Sequence, residues 1–293
     1  MNRLLITPIV RGVPRSSILN RVLRLALPVC VLSVLLLYPL AHMAAAAFKG
    51  AAGEFSLGPA TRMLGSPLFL RALLHTFEIA ATATILCLLL GLALAVLFNL
   101  APFRGVQVLG RVVDTYLAFP SFLIALSLTF LYGNAGLVTA LFARLFGADP
   151  HAASFLYGFW GVVLAEVTFY TPFVLRPLLA GFQSLDPAQI EMASSLGEKP
   201  WGVLRRIVLP ALLPALLAGG SLCLLLTINE FGIMLVMGAK NVITLPVLIY
   251  SEAVQQFDYS GASVIALGNA MLSFGLFALY RTSLTGLSAG LAR

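Results

Sequence analysis

Charge is scarce in this sequence. Only 10% of its 293 residues are Asp, Glu, Lys or Arg, 60% are hydrophobic, and the mean hydropathy is +1.00. A soluble domain carries about 25% charged residues, so this composition excludes an ordinary water-exposed globular fold. Cysteine is almost absent too. Cys30, Cys87 and Cys223 each lie inside an apolar run, and no CxxC or Cys/His spacing offers a metal site or redox pair. The three histidines, His42, His75 and His151, are scattered, so a membrane enzyme would lack a convergent set of reactive groups. No glycine-rich phosphate loop ending in Gly-Lys-Ser or Gly-Lys-Thr occurs, so the chain has no ATPase site of its own. The net charge of +7 comes from bases spread over loops, without a basic stripe or interleaved aromatics, which argues against nucleic acid.

What the chain does have is apolar length. A spanning helix needs about 20 mostly apolar residues, and six stretches meet this: 25–47, 73–98, 112–133, 157–181, 209–232 and 260–281. The expectation is an all-α polytopic membrane protein with six transmembrane helices. The first run is long enough to span, so it reads as a retained helix and not as a cleaved signal. Residues 1–24 hold Arg3, Arg11, Arg15, Arg21 and Arg24 and no acid. If that end is cytoplasmic, the loops at 99–111 and 182–208 and the C-terminus are cytoplasmic as well. Of the 18 Lys and Arg, only Lys49, Arg62, Arg71, Arg144 and Lys240 then fall outside, leaving 13 inside. That asymmetry supports both termini in the cytoplasm.

Several polar residues interrupt the apolar runs. Arg71, His75 and Glu78 share one face of the second helix, at i, i+4 and i+7, and read as an interfacial ion-pair group. Pro120 predicts a bend in the third helix. Glu166 and Thr168 in the fourth helix, and Asn229 and Glu230 at the end of the fifth, are candidates for a translocation pathway. For Glu166, lining a pathway and anchoring a neighbouring helix weigh equally. Arg176 is expected to snorkel or pair locally. Ala218-Gly219-Gly220-Ser221 would let another helix approach closely. The external stretch 233–259 is apolar enough to pack on the bundle or enter the interface.

Between the fourth and fifth helices lies a charged island, Asp186 to Pro210. Asp186 suits an N-cap and Pro187 the first helical turn. Gly197 suits a helix C-terminus, and Pro200 the start of a second short helix running over 201–208. The pattern predicts an exposed helix, turn and helix with Ile190, Met192, Leu196 and Trp201 available to another protein.

Glu191, Ala193, Gly197, Ile207, Leu209 and Pro210 fall at the spacing of the EAA motif of ABC-importer permeases, which the island resembles. Met192 departs from that motif, standing where it has alanine. The runs 110–137, 161–181 and 218–240 are similar to the permeases of 2-aminoethylphosphonate importers. Relatives that carry iron, thiamine or phosphate-like solutes share the motif, and an ion-coupled secondary transporter using Glu166 or Glu230 is the rival reading. The resemblance implies a type I ABC-importer permease fold in the bacterial inner membrane. Residues 1–24 would be a cytoplasmic segment, 25–72 the first span and external loop, 73–281 the permease core with its coupling loop 182–208, and 282–293 a cytoplasmic tail. It further implies ATPase subunits that bind the ATP, with Glu191 contacting them and Gly197 making the turn. A second permease subunit and a periplasmic solute-binding protein complete the set, with membrane lipid around them. No metal and no cofactor in this chain are expected.

Overall fold

A computed structural model of the chain describes residues 15–50, 53–100, 103–147, 155–238 and 242–291. Arg3, Arg11, His151, Lys240 and Arg293 lie outside the described residues. The described residues are helical, with a single isolated bridge between Lys49 and Phe55.

Helix α1 spans Arg15–Ala47, so the helix begins inside the segment expected to precede the first span; its apolar part is Pro28–Ala47. A short α2, Gly58–Leu64, leads to α3, Pro67–Leu100. Helix α7, Phe159–Gln183, and α10, Leu209–Ile228, pack with α3 as the central bundle. Its core includes Ile79, Cys87, Val163, Val174, Leu178, Leu212 and Cys223. The small residues expected to admit a close neighbour do so: a Cβ placed on Gly219 would lie 3.0 Å from the Cα of Val174. Only a side chain of a single hydrogen lets α10 and α7 meet backbone to backbone.

The third crossing differs from the expectation. Pro120 does not bend one helix but separates two, α4 over Val106–Tyr116 and α5 over Ser121–Tyr132. Proline offers no N–H to the preceding turn and its ring clashes with that turn's carbonyl, so the first helix closes before it. The longest apolar window here is Ser121–Leu145, which takes in α6, Leu137–Phe146. The contacts support a different crossing. Asp114 pairs with Arg176, Tyr116 lies 6.3 Å from Phe169 between ring centroids, and Tyr132 lies 6.4 Å from Phe155. These pairs run in opposite order along the sequence, so the broken segment from Asp114 to Tyr132 runs antiparallel to the segment from Phe155 to Arg176. Arg176 thus has a partner on another helix.

Beyond α10 come α11, Gly232–Met237, and α12, Leu245–Tyr250. Thr76 Oγ1 accepts a hydrogen bond from the Leu245 N–H at 2.9 Å, and His75 Nδ1 accepts one from Ile243 at 3.3 Å. Leu245 and Leu248 are buried against Phe69, Ala72 and Ile265. The apolar external stretch therefore packs on the bundle. His75 serves this contact, and Arg71 and Glu78 form no ion pair among the described residues. The last helix, α13, spans Tyr259–Leu291 and continues past the expected end at 281.

Candidate functional site

Two regions gather the polar residues singled out by sequence. The first is the charged island. Helix α8 spans Pro187–Ser195, and Asp186 Oδ1 caps it by accepting the Ala188 N–H at 3.0 Å. The helix ends in a Schellman closure: Glu198 N donates to Ala193 O and Gly197 N to Ser194 O, both at 3.0 Å. Gly197 has φ +84, a conformation that costs an L side chain roughly 1–2 kcal/mol.

Pro200 opens α9, Pro200–Val203, which continues through a π turn at Leu204–Val208 into α10. The expected short helix is thus the first turns of the fifth span. The wider turn has a cause. Pro210 cannot donate to the carbonyl four residues back, and the register shifts so that Leu209 N donates to Leu204 O instead. Leu209 and Ile207 are half-buried and Pro210 is exposed.

The island presents three of its apolar groups outward, whereas Ile190, expected among them, packs with Ala193 and Ile207 against the core. Met192 is 65% exposed, Leu196 83% and Trp201 70%. Glu191 is exposed and forms no salt bridge among the described residues. Glu198 accepts from Arg206 at 3.3 Å, on the rim of a groove that also holds Lys199, Trp201 and Arg205. Large apolar side chains left in water beside unpaired charge make a surface suited to a protein partner.

The second region lies inside the bundle, where two helix breaks meet. The gap between α4 and α5 ends at Ser121, and the gap between α10 and α11 is occupied by Asn229, Glu230 and Phe231. Glu230 ties them together. Its Oε1 accepts from the Ser121 hydroxyl at 3.0 Å and from the Ile233 N–H at 2.8 Å, and its Oε2 accepts from the Tyr170 hydroxyl. Glu230 is 6% exposed. Counting from Phe159 at 1.5 Å per residue, Tyr170 places this junction roughly 16 Å along α7, well within membrane depth. Broken backbone at that depth is tolerated where it is enclosed by protein or lines a water-filled cavity.

Glu166 sits one turn before Tyr170 on the same face of α7, close enough to Glu230 for the two to interact electrostatically. It is 1% exposed, and its Oε2 has no hydrogen-bond partner. Thr168 faces the other way, exposed, with its hydroxyl turned back onto Leu164 O at 2.7 Å. Asn229 is exposed and joins a different set. It donates to Leu225 O at 2.8 Å and Ser273 Oγ at 3.1 Å, and accepts from Asn269 Nδ2 at 2.9 Å. The four candidates thus divide: Glu230 holds Tyr170, Glu166 lies buried one turn from Tyr170 on α7, Asn229 belongs to a seam with α13, and Thr168 joins none of these.

Sequence reasoning passed over Ser121, Tyr170, Asn269 and Ser273. Tyr170 and Ser121 look ordinary until the helices are packed. Asn269 carried a signal, since an amide inside the apolar run 260–281 is costly without a partner.

The likenesses to known proteins agree with this architecture. The family described as the binding-protein-dependent transport system inner membrane component matches residues 87–283. The chain is 49% identical over 263 residues to PhnU of Salmonella choleraesuis, named as a 2-aminoethylphosphonate transport system permease protein, covering 90% of this chain and 92% of that one. It is 33% identical over 222 residues to cysT of Chlorella vulgaris, named as a sulfate transport system permease protein, covering 74% and 80%. In fold it is similar to a chain of a bacterial ABC transporter that imports alginate, with a TM-score of 0.73 at 19% identity over 92% of this chain and 96% of that one. Six helices among the described residues are long and apolar enough to cross a membrane, and the relatives are named as permeases, so the chain is a transport component and not a catalytic one. The chain belongs to the family of inner membrane components of binding-protein-dependent transport systems, the permeases of ABC importers.

Proposed function

We propose that the chain is the permease subunit of an ATP-driven importer that carries 2-aminoethylphosphonate across the bacterial inner membrane, with both termini in the cytoplasm. The observation that carries this reading is the exposed helix, turn and helix at 186–208, continuous with a spanning helix, in a chain that has no nucleotide site. Its partners are ATPase subunits, which bind the ATP and grip α8 and α9, a second permease and a periplasmic solute-binding protein. The chain itself needs no cofactor. Closure of the ATPase pair moves the island, and α10 transmits the movement as one rod as far as its break at Asn229. The cargo rests on the 49% identity to PhnU over nine-tenths of this chain.

Proteoliposomes holding the permease with its ATPase and binding protein are expected to accumulate 2-aminoethylphosphonate only when ATP is supplied to the ATPase side. Accumulation that survives removal of the ATPase and collapses with the membrane potential would overturn the reading in favour of ion coupling. Accumulation of sulfate in place of the phosphonate would reassign the cargo alone.

Gly197→Val tests the coupling loop separately. A Cβ at Gly197 meets no atom within 4 Å, so the substitution strains only the turn's backbone. The spans are expected to fold, with a small drop in melting midpoint from roughly 1–2 kcal/mol of turn strain, while uptake falls about tenfold because the strained turn no longer holds α8 and α9 in their docking arrangement. Unchanged uptake would remove the turn from the coupling mechanism.

A further inference from the structure

We infer that the polar seam of Asn229, Asn269 and Ser273, at the break between α10 and α11, is where the permease receives the cargo's primary ammonium group. This rests on the proposed cargo and adds the residues and the end of the molecule they hold.

The hydrogen bonds of the seam do not balance. Asn269 donates through Nδ2 to Asn229, yet its Oδ1 is buried with no partner. The side chain is 8% exposed. A buried amide oxygen left without a donor is costly, so it calls for an N–H donor from a ligand. Asn229 Nδ2 spends both its N–H groups, on Leu225 O and Ser273 Oγ, and Asn269 Nδ2 spends one of its two on Asn229 Oδ1. Among the described residues of the seam, the buried atom left wholly without a partner is an acceptor, and an acceptor selects a donor such as an ammonium group over a phosphonate oxygen.

The local field favours the same ligand. Helix α10 ends at Ile228, and the last carbonyls of a helix carry partial negative charge at its C-terminus. Glu230 follows directly, and Glu166 lies beyond it in the bundle; neither has a basic partner among the described residues. Carbonyls at a broken helix inside a membrane are well suited to cations. Asn229, exposed at the rim, gives the seam its opening.

The seam has one alternative use, contact with the second permease, and a change of charge separates the two. The permease–ATPase complex in nanodiscs, without binding protein, is titrated with radiolabelled 2-aminoethylphosphonate and with ethylphosphonate, which lacks the amine. Wild type is expected to bind the first and not the second. Asn269→Leu is expected to weaken binding about tenfold, and Asn269→Asp to preserve or tighten it, because a carboxylate holds ammonium better than an amide does. Loss of binding in Asn269→Asp, or equal binding of ethylphosphonate, would overturn the inference, since the seam would then face the phosphonate. Wild-type binding in Asn269→Leu, or dissociation of the permease pair on size exclusion, would also overturn it. Failure of the wild-type importer to accumulate 2-aminoethylphosphonate in the proteoliposomes above would instead refute the cargo, so the two failures read out in different assays.

Discussion

Glu230→Ala is expected to cost on the order of 3 kcal/mol or more of stability. The carboxylate accepts from Ser121, Tyr170 and the Ile233 N–H, and all three donors lose their acceptor at once. A buried donor left unpaired costs about 1–3 kcal/mol, and water cannot readily replace the acceptor at this depth. The loss should fall on the junction where α5, α7, α10 and α11 meet. A thermal melt of the detergent-solubilised protein should show a clearly lowered midpoint, with proteolysis between α4 and α5 beginning earliest. Glu230→Gln keeps one oxygen to accept and is expected to lie between alanine and wild type. If alanine melts with wild type, the carboxylate does not hold the junction together.

Gly219→Leu should be at least as damaging, by a different route. A Cβ there would stand 3.0 Å from the Cα of Val174 and 3.2 Å from its carbonyl oxygen. Those are backbone atoms, which cannot rotate aside as a flexible side chain would, so α10 and α7 must separate where their backbones meet. Overpacking of a well-filled core costs about 1–3 kcal/mol even where side chains can yield. Here the expected result is protein that inserts but no longer assembles with its ATPase. The measurement is co-purification of the tagged variant with that subunit. A normal yield of complex would show that the two helices can part without consequence.

Local chemistry made some of this architecture readable and tertiary packing hid the rest. The island was legible because every step is decided within a few residues: Asp186 caps, Pro187 opens, Gly197 turns and Pro200 opens again. The number of crossings was legible because each needs a long apolar run. Pro120 was read as a bend because its lost hydrogen bond is a local fact, whereas the first residue after the break, Ser121, donates its hydroxyl to Glu230, 109 residues away. The Arg71, His75 and Glu78 face looked like an ion cluster by spacing alone. The structure instead gives His75 to the backbone of Ile243, a partner that no helical periodicity could reveal. The same limit kept Glu166 undecided, since its surroundings come from α3, α7 and α10 together.

The π turn at Leu204–Val208 fixes the direction in which the island faces. It holds one residue more than a regular turn, and each residue of an α-helix accounts for about 100° of rotation and 1.5 Å of rise. Trp201 and the turn at Gly197 are therefore swung about a quarter-circle relative to the spanning part of α10, compared with where an unbroken helix would have put them. Deleting Arg205 would leave Met192, Leu196 and Trp201 present and the spanning part of α10 unchanged. The permease would simply offer its ATPase the wrong side. Its aim is thus stored in the length of this turn, which Pro210 enforces, and a compensating insertion would restore what a deletion removes.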